Sequence, residues 1–309
     1  MIPEGPAVSD WQQSLRQAYR DPAALLSDLG LAASELGAFE PTRGEFAMRV
    51  PRGFAARMRH GDPADPLLRQ VLPLAAERDE VPGYVADPLA EGEAQLTPGL
   101  IQKYAGRALL IATGACAVHC RYCFRREFPY SDSRASGAAL DAALSAIRAD
   151  RSLREVILSG GDPLNLSDAR LGELFRRIEA IPQITRLRIH TRQLVVLPER
   201  LTGQLARLLH QSRLQVVLVI HANHANELDA TVAVALEQLR DAGLTLLNQS
   251  VLLAGVNDSA DALAALSERL FALGVLPYYL HQLDPVRGVA HFALADRRAR
   301  GIMRELNGL

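Results

Sequence analysis

The chain has 309 residues, 49% of them hydrophobic, and a formal net charge of −1. That is enough apolar material for one large α/β domain with a smaller appendage, and the balanced charge argues against nucleic acid or another polyanion as a partner. The three cysteines are too few and too crowded for a disulfide framework.

Met1-Ile2-Pro3-Glu4-Gly5 carries no basic region followed by an apolar one, so no secretory signal is expected. No apolar run approaches the roughly 20 residues of a membrane helix, and the expected location is the cytoplasm. Helical patterns such as Trp11-Gln12-Gln13-Ser14-Leu15 and Ala23-Ala24-Leu25-Leu26 predict a small, mostly helical N-terminal domain over 1–100. Prolines interrupt it at Pro63-Ala64-Asp65-Pro66 and Val81-Pro82-Gly83.

From about residue 101 six short apolar runs recur, at 108–112, 155–158, 186–189, 214–220, 244–247 and 275–280. Helix-length amphipathic segments fit between them, for example at 168–180 and 231–242. This alternation predicts βαβ units and a parallel sheet, and six units favour a partial (βα)₆ barrel over a closed barrel of eight. In such an architecture the chemistry gathers at the C-terminal ends of the strands.

The residues that follow the runs are the chemically informative ones. Cys116, Cys120 and Cys123 come after the first run with spacing C-x₃-C-x₂-C. Three thiolates suit a thiophilic centre, and on a four-iron cubane they leave one iron open to a substrate or cofactor. A zinc site completed by His119, or three inert thiols, are the alternatives; the dense spacing after a strand favours the cluster. Ser159-Gly160-Gly161-Asp162-Pro163-Leu164 follows the second run, where two glycines allow close approach to the backbone. His190-Thr191-Arg192 follows the third, and His221-Ala222-Asn223-His224-Ala225-Asn226-Glu227 the fourth, where two histidines and two asparagines suggest a lined pocket, with a metal site as the alternative.

The cysteine spacing after the first strand of a partial barrel resembles the radical S-adenosylmethionine (SAM) superfamily. More narrowly, Ile101-Gln102-Lys103-Tyr104-Ala105-Gly106-Arg107, Cys123-Phe124-Arg125-Arg126, Leu247-Asn248-Gln249-Ser250, Gly255-Val256-Asn257-Asp258, Pro277-Tyr278-Tyr279-Leu280 and His281-Gln282-Leu283-Asp284 resemble the lysine 2,3-aminomutases. The wording around Asp65-Pro66-Leu67-Leu68-Arg69-Gln70-Val71 and Phe128-Pro129-Tyr130 is closest to the branch that supplies β-lysine for elongation factor P.

The resemblance implies a [4Fe–4S] cluster on the three cysteines and a SAM chelated to the open iron. It also implies pyridoxal 5′-phosphate (PLP) carrying the migrating nitrogen of L-lysine. Ser159, Gly160, Gly161, Asp162, His190, Arg192, His221, Asn223 and Gln249 are the residues it places around SAM. Arg125 would pair with the substrate carboxylate and Asp284 with its ε-ammonium, while Lys103, Tyr104 and Arg107 would contact PLP, chiefly its phosphate. A reductant such as flavodoxin, elongation factor P with its lysyl ligase, and a homo-oligomeric assembly are the implied partners.

In that family a lysine in a Gly-rich segment near the C-terminus holds PLP as a Schiff base. Lys103 is the only lysine among the 34 basic residues, and the chain reaches Leu309 without such a segment. The expectation is a truncated barrel domain over 101–309 with weak PLP retention; the alternative is PLP bound non-covalently, with substrate lysine supplying the amine. A radical SAM isomerase of another amino acid, or an impaired iron–sulfur or zinc scaffold, are the rival readings; iron or zinc content separates the last of these.

Overall fold

The computed structural model describes residues 11–36 and 46–309, and the Met1–Gly5 terminus considered above lies outside them. Eight strands form one sheet in sequence order: β1 (Gln95–Thr97), β2 (Leu100–Tyr104), β3 (Arg107–Thr113), β4 (Glu155–Gly160), β5 (Arg186–Thr191), β6 (Gln215–His221), β7 (Thr245–Val251) and β8 (Leu276–His281). All six predicted strands are present as β3–β8, paired in parallel. The short β1 and β2 were not anticipated; they add an antiparallel ribbon to the β3 side. β1 and β8 are the two edges, so the sheet stays open.

Strand alternation decides which face meets the helices. In β4, Val156 and Leu158 are fully buried in the main core, whereas Glu155, Ile157 and Ser159 face the other way, into the lumen. Helix Asp168–Glu179 packs its Leu171, Leu174, Phe175 and Ile178 stripe onto that core, with Ser167 capping its N-terminus. Asp229 and Ser259 cap helices Ala230–Asp241 and Ala260–Ala272 in the same way, each cap worth about 1 kcal/mol. No described helix is long and apolar enough to cross a membrane.

The N-terminal residues build a second core over the strand ends. Trp11, Leu25, Phe54, Leu67, Leu68 and Val71 pack with Ala117 and Val118 of the cysteine loop and with Val196 and Leu197 after β5. Arg57 ties the two layers together by donating to the carbonyls of Val195 (2.6 Å) and Glu227 (2.8 Å). The segment therefore roofs the C-terminal ends of the strands and excludes water from one side of the loops there.

Candidate active site

The cysteine loop leaves β3 and is held from above. Arg49 donates to the carbonyl of Cys116 at 2.9 Å, and the N–H groups of His119 and Arg121 donate to Arg49 and Gln70. All three cysteines are free and half-buried. Burial pushes each thiol up, Cys123 to about 11; Asp162 and then the other two sulfurs add to this at Cys116, and Cys120 adds to it at Cys123. As bare thiols they would stay protonated, so the group that suits them is a cationic metal centre that draws off the protons. Among the described residues no three His, Cys, Asp or Glu side chains converge on a single ion. Three cysteines on one loop suit the open-iron cluster that the spacing predicts. His119, the alternative fourth ligand, stacks on Phe46 and donates from Nδ1 to the carbonyl of Ala47.

The Gly-Gly loop after β4 lies directly against the cysteine loop. Gly161 N–H donates to Thr113 O at 2.7 Å and Asp162 N–H to Ala115 O at 2.8 Å. Gly160 has φ +122°, and a Cβ there would lie 2.6 Å from Thr113 O; one on Gly161 would lie 2.5 Å from Ala115 O. The backbone of the neighbouring loop is thus what closes on these glycines.

Asp162 joins the third loop to the first two. Its carboxylate accepts from Thr191 Oγ1 (2.8 Å), Arg192 N–H (2.7 Å), Gln193 N–H (2.9 Å) and Leu164 N–H (3.0 Å). Burial pushes this carboxyl up, against the pull of those donors. Arg192 is likewise engaged by the protein: it donates to Gln70 Oε1 (2.8 Å), Glu227 Oε2 (3.0 Å) and the Tyr122 hydroxyl. Asn223 donates to Gln70 and accepts from Val251 N–H. These side chains brace the loops, which leaves backbone and neighbouring groups to face a cofactor.

His190 and His221 project from β5 and β6 with ring centroids 5.8 Å apart, edge to face. Burial, then nearby positive charge, pushes His190 down to about 3 and His221 well below its ordinary value, so both are neutral imidazoles. Nε2 of each is buried without a partner, the kind of orphaned atom a bound ligand would satisfy. Gln249 on β7 reaches His190.

Arg125, two residues past the last cysteine, meets Glu91 in two parallel bonds of 2.7 Å and donates from Nη1 to Ser159 Oγ at 2.9 Å. Asp284, just after β8, is half-buried, and its carboxyl is pushed up first by burial and then by Glu91, with His281 and Lys103 pulling down. Arg107 and Tyr104 sit at the opposite, N-terminal end of β3, about 20 Å of strand away from the cysteines. The Arg107 guanidinium lies 5.3 Å from the Tyr104 ring, and Arg188 lies 5.9 Å from the Tyr278 ring. Guanidinium and aromatic groups of this kind suit a phosphorylated aromatic cofactor. Lys103 donates to the carbonyl of Leu89 instead of facing that group.

The radical SAM superfamily model matches residues 110–266. L-lysine 2,3-aminomutase of Escherichia coli K12 is 50% identical over 302 residues, 97% of this chain and 88% of the relative. That of Haemophilus influenzae is 43% identical over 312 residues, 100% of this chain and 92% of the relative. The chain belongs to the L-lysine 2,3-aminomutase family.

Membership in the aminomutase family brings with it a [4Fe–4S] cluster and SAM, with PLP expected beside them. A more distant aminomutase, from Clostridium subterminale, is 34% identical over 301 residues, 97% of this chain and 72% of the relative. The solved structure described as native anSMEcpe with bound AdoMet superposes with a TM-score of 0.51 at 12% identity, over 65% of this chain and 58% of that one, a likeness of fold. Sequence reasoning missed Glu91, Gln70, Tyr122 and the bracing role of Glu227 in this aminomutase-family site. Gln70 and Glu227 fell inside quoted motifs, but Glu91 lies in a loop with no signal of its own.

Proposed function

We propose that the chain moves the α-amino group of L-lysine to the β-carbon, yielding β-lysine. What supports this most is the backbone seam between the cysteine loop and the Gly-Gly loop, found in a chain half identical to an L-lysine 2,3-aminomutase. When bound, the cluster with SAM supplies a carbon-centred radical, and PLP binds the migrating nitrogen.

The residues of the chain do the holding. Cys116, Cys120 and Cys123 ligate the cluster, and the Ser159–Asp162 backbone presents polar groups to the amino-acid end of SAM. His190 and His221, both neutral, offer Nε2 as donor or acceptor without adding charge, and Gln249 orients the former. Arg125 takes the substrate carboxylate and Asp284 the ε-ammonium, which fixes lysine by both ends so that only its middle carbons meet the radical. Arg107, Tyr104 and the basic end of the lumen receive the phosphate of PLP, while Lys103 is held by the carbonyl of Leu89. The N-terminal roof formed by residues 11–36 and 46–74 keeps water from the cysteine loop.

The product is read as the β-lysine used to modify elongation factor P through its lysyl ligase, in the cytoplasm, with a flavodoxin-like protein as reductant. Anaerobic incubation of reconstituted protein with lysine, SAM, PLP and a reductant tests the reaction. Mass spectrometry should find β-lysine in multiple turnovers; an intact cluster that cleaves SAM but forms no β-lysine would sink the assignment and favour another amino acid as substrate.

A further inference from the structure

The buried Arg125–Glu91 pair carries an inference that rests on the reading of Arg125 as the carboxylate site. Both residues are nearly closed to solvent, at 6% and 5% exposure. A guanidinium has five N–H groups. Glu91 takes one on Nε and one on Nη2, each at 2.7 Å, and Nη1 faces Ser159 Oγ at 2.9 Å and Gly160 O at 3.4 Å. One N–H, on Nη2, is left.

Glu91 is itself fixed through its backbone. Asp87 accepts from the N–H groups of Glu91 (3.0 Å) and Gly92 (2.9 Å), and Lys103 donates to Leu89 O. Further back, Val85 N–H donates to Pro285 O at 3.0 Å and Arg287 N–H to Val85 O at 3.1 Å, which ties the strap to the residues just past Asp284. The strap over 85–92 therefore connects the two groups that would hold the ends of lysine.

We propose that Glu91 is a positioning residue for substrate recognition: it grips Arg125 along one edge so that the single remaining N–H is aimed at the carboxylate of lysine. A flexible arginine would lose side-chain freedom on binding, whereas this one is ordered beforehand.

The test compares lysine with cadaverine, which keeps both amines but lacks the carboxylate. Glu91→Gln in the reconstituted holoenzyme should raise KM for lysine about tenfold, since it disrupts a charge-assisted fork, and change kcat less than twofold. Inhibition by cadaverine should stay as in the wild type. Glu91→Asp, one methylene short, should fall between, and Ser159→Ala should give a smaller shift in the same direction. If Glu91→Gln does not fold, those two variants decide.

A parallel loss of cadaverine affinity would mean a general collapse of the site and would overturn the proposal. Unchanged or tighter lysine binding in Glu91→Gln would overturn it too, because Glu91 would then be a stand-in that lysine displaces. Calorimetric titration of lysine separates this from the functional reading. A wild type that binds lysine without making β-lysine fails only the latter, and one that binds no lysine fails both.

Discussion

The carboxylate of Asp162 accepts the backbone N–H of Arg192 at 2.7 Å and so fastens the loop after β4 to the loop after β5. Because the same loop is hydrogen-bonded to the cysteine loop, three strand ends form one rigid rim. Asp162→Asn replaces one oxygen by an N–H donor facing the donors of Arg192 and Gln193. We expect a loss of about 2–3 kcal/mol in chemical unfolding, with iron retention falling alongside.

Cys116→Ala, Cys120→Ala and Cys123→Ala should each lower iron and sulfide content to a small fraction of wild type and abolish SAM cleavage. His119→Ala should leave both intact, since His119 is occupied with Phe46 and Ala47. Metal analysis and electron paramagnetic resonance of the reduced protein check this.

Gly161→Ala drives a Cβ into the backbone of Ala115, with no flexible side chain to yield. We expect destabilisation of about 1–3 kcal/mol, the range of overpacked sites, and poor cluster retention. Gly53→Ala is the control: nothing lies within 4 Å of its Cβ, and it sits in helix Arg52–Ala55. It should stabilise by about 0.5–1 kcal/mol. Thermal unfolding of both variants distinguishes the two glycines.

Much of this arrangement could be read from sequence because it is carried by local signals. The six parallel strands announce themselves as apolar runs, and the amphipathic segments at 168–180 and 231–242 announce two of the helices between them. β1 and β2 escaped because they are short and carry Gln95, Gln102 and Lys103. Glu91 escaped for a different reason: its partner is 34 residues away, and only the fold brings the two together. Gln70 meets Arg192 across 122 residues in the same way. The glycine pair was legible as a motif, but not that backbone at 113–115 is what presses on it.

His190 should make the protein acid-sensitive. In the unfolded chain a histidine titrates near ~6.5, while in the folded protein burial holds His190 at about 3. Between those values the unfolded chain binds a proton that the folded chain refuses. Stability therefore falls as pH falls through that window, by about 1.4 kcal/mol per unit from this one group, and is unaffected by it above ~6.5. Urea unfolding between neutral pH and moderate acid should show a shallower decline in His190→Gln.

Asp284→Asn should raise KM for lysine about 10–100-fold, matching the loss of a charged hydrogen bond of about 1.5–3 kcal/mol. In the wild type, burial pushes this carboxyl above its ordinary value. The acid limb of kcat/KM for lysine should therefore lie above the usual carboxylate range, because protonation of Asp284 removes the charge that holds the ε-ammonium. A pH–rate profile of the wild type against Asp284→Asn reads both effects.

The seam between Gly160-Gly161 and Thr113–Ala115 also constrains how such a protein can diverge. With backbone pressed on backbone, neither loop can gain a residue or a bulky side chain unless the other changes with it. The cysteine loop and the glycine loop are therefore inherited as one unit, and new specificity has to arise elsewhere, in the strap over 85–92 and along the lumen side of β8.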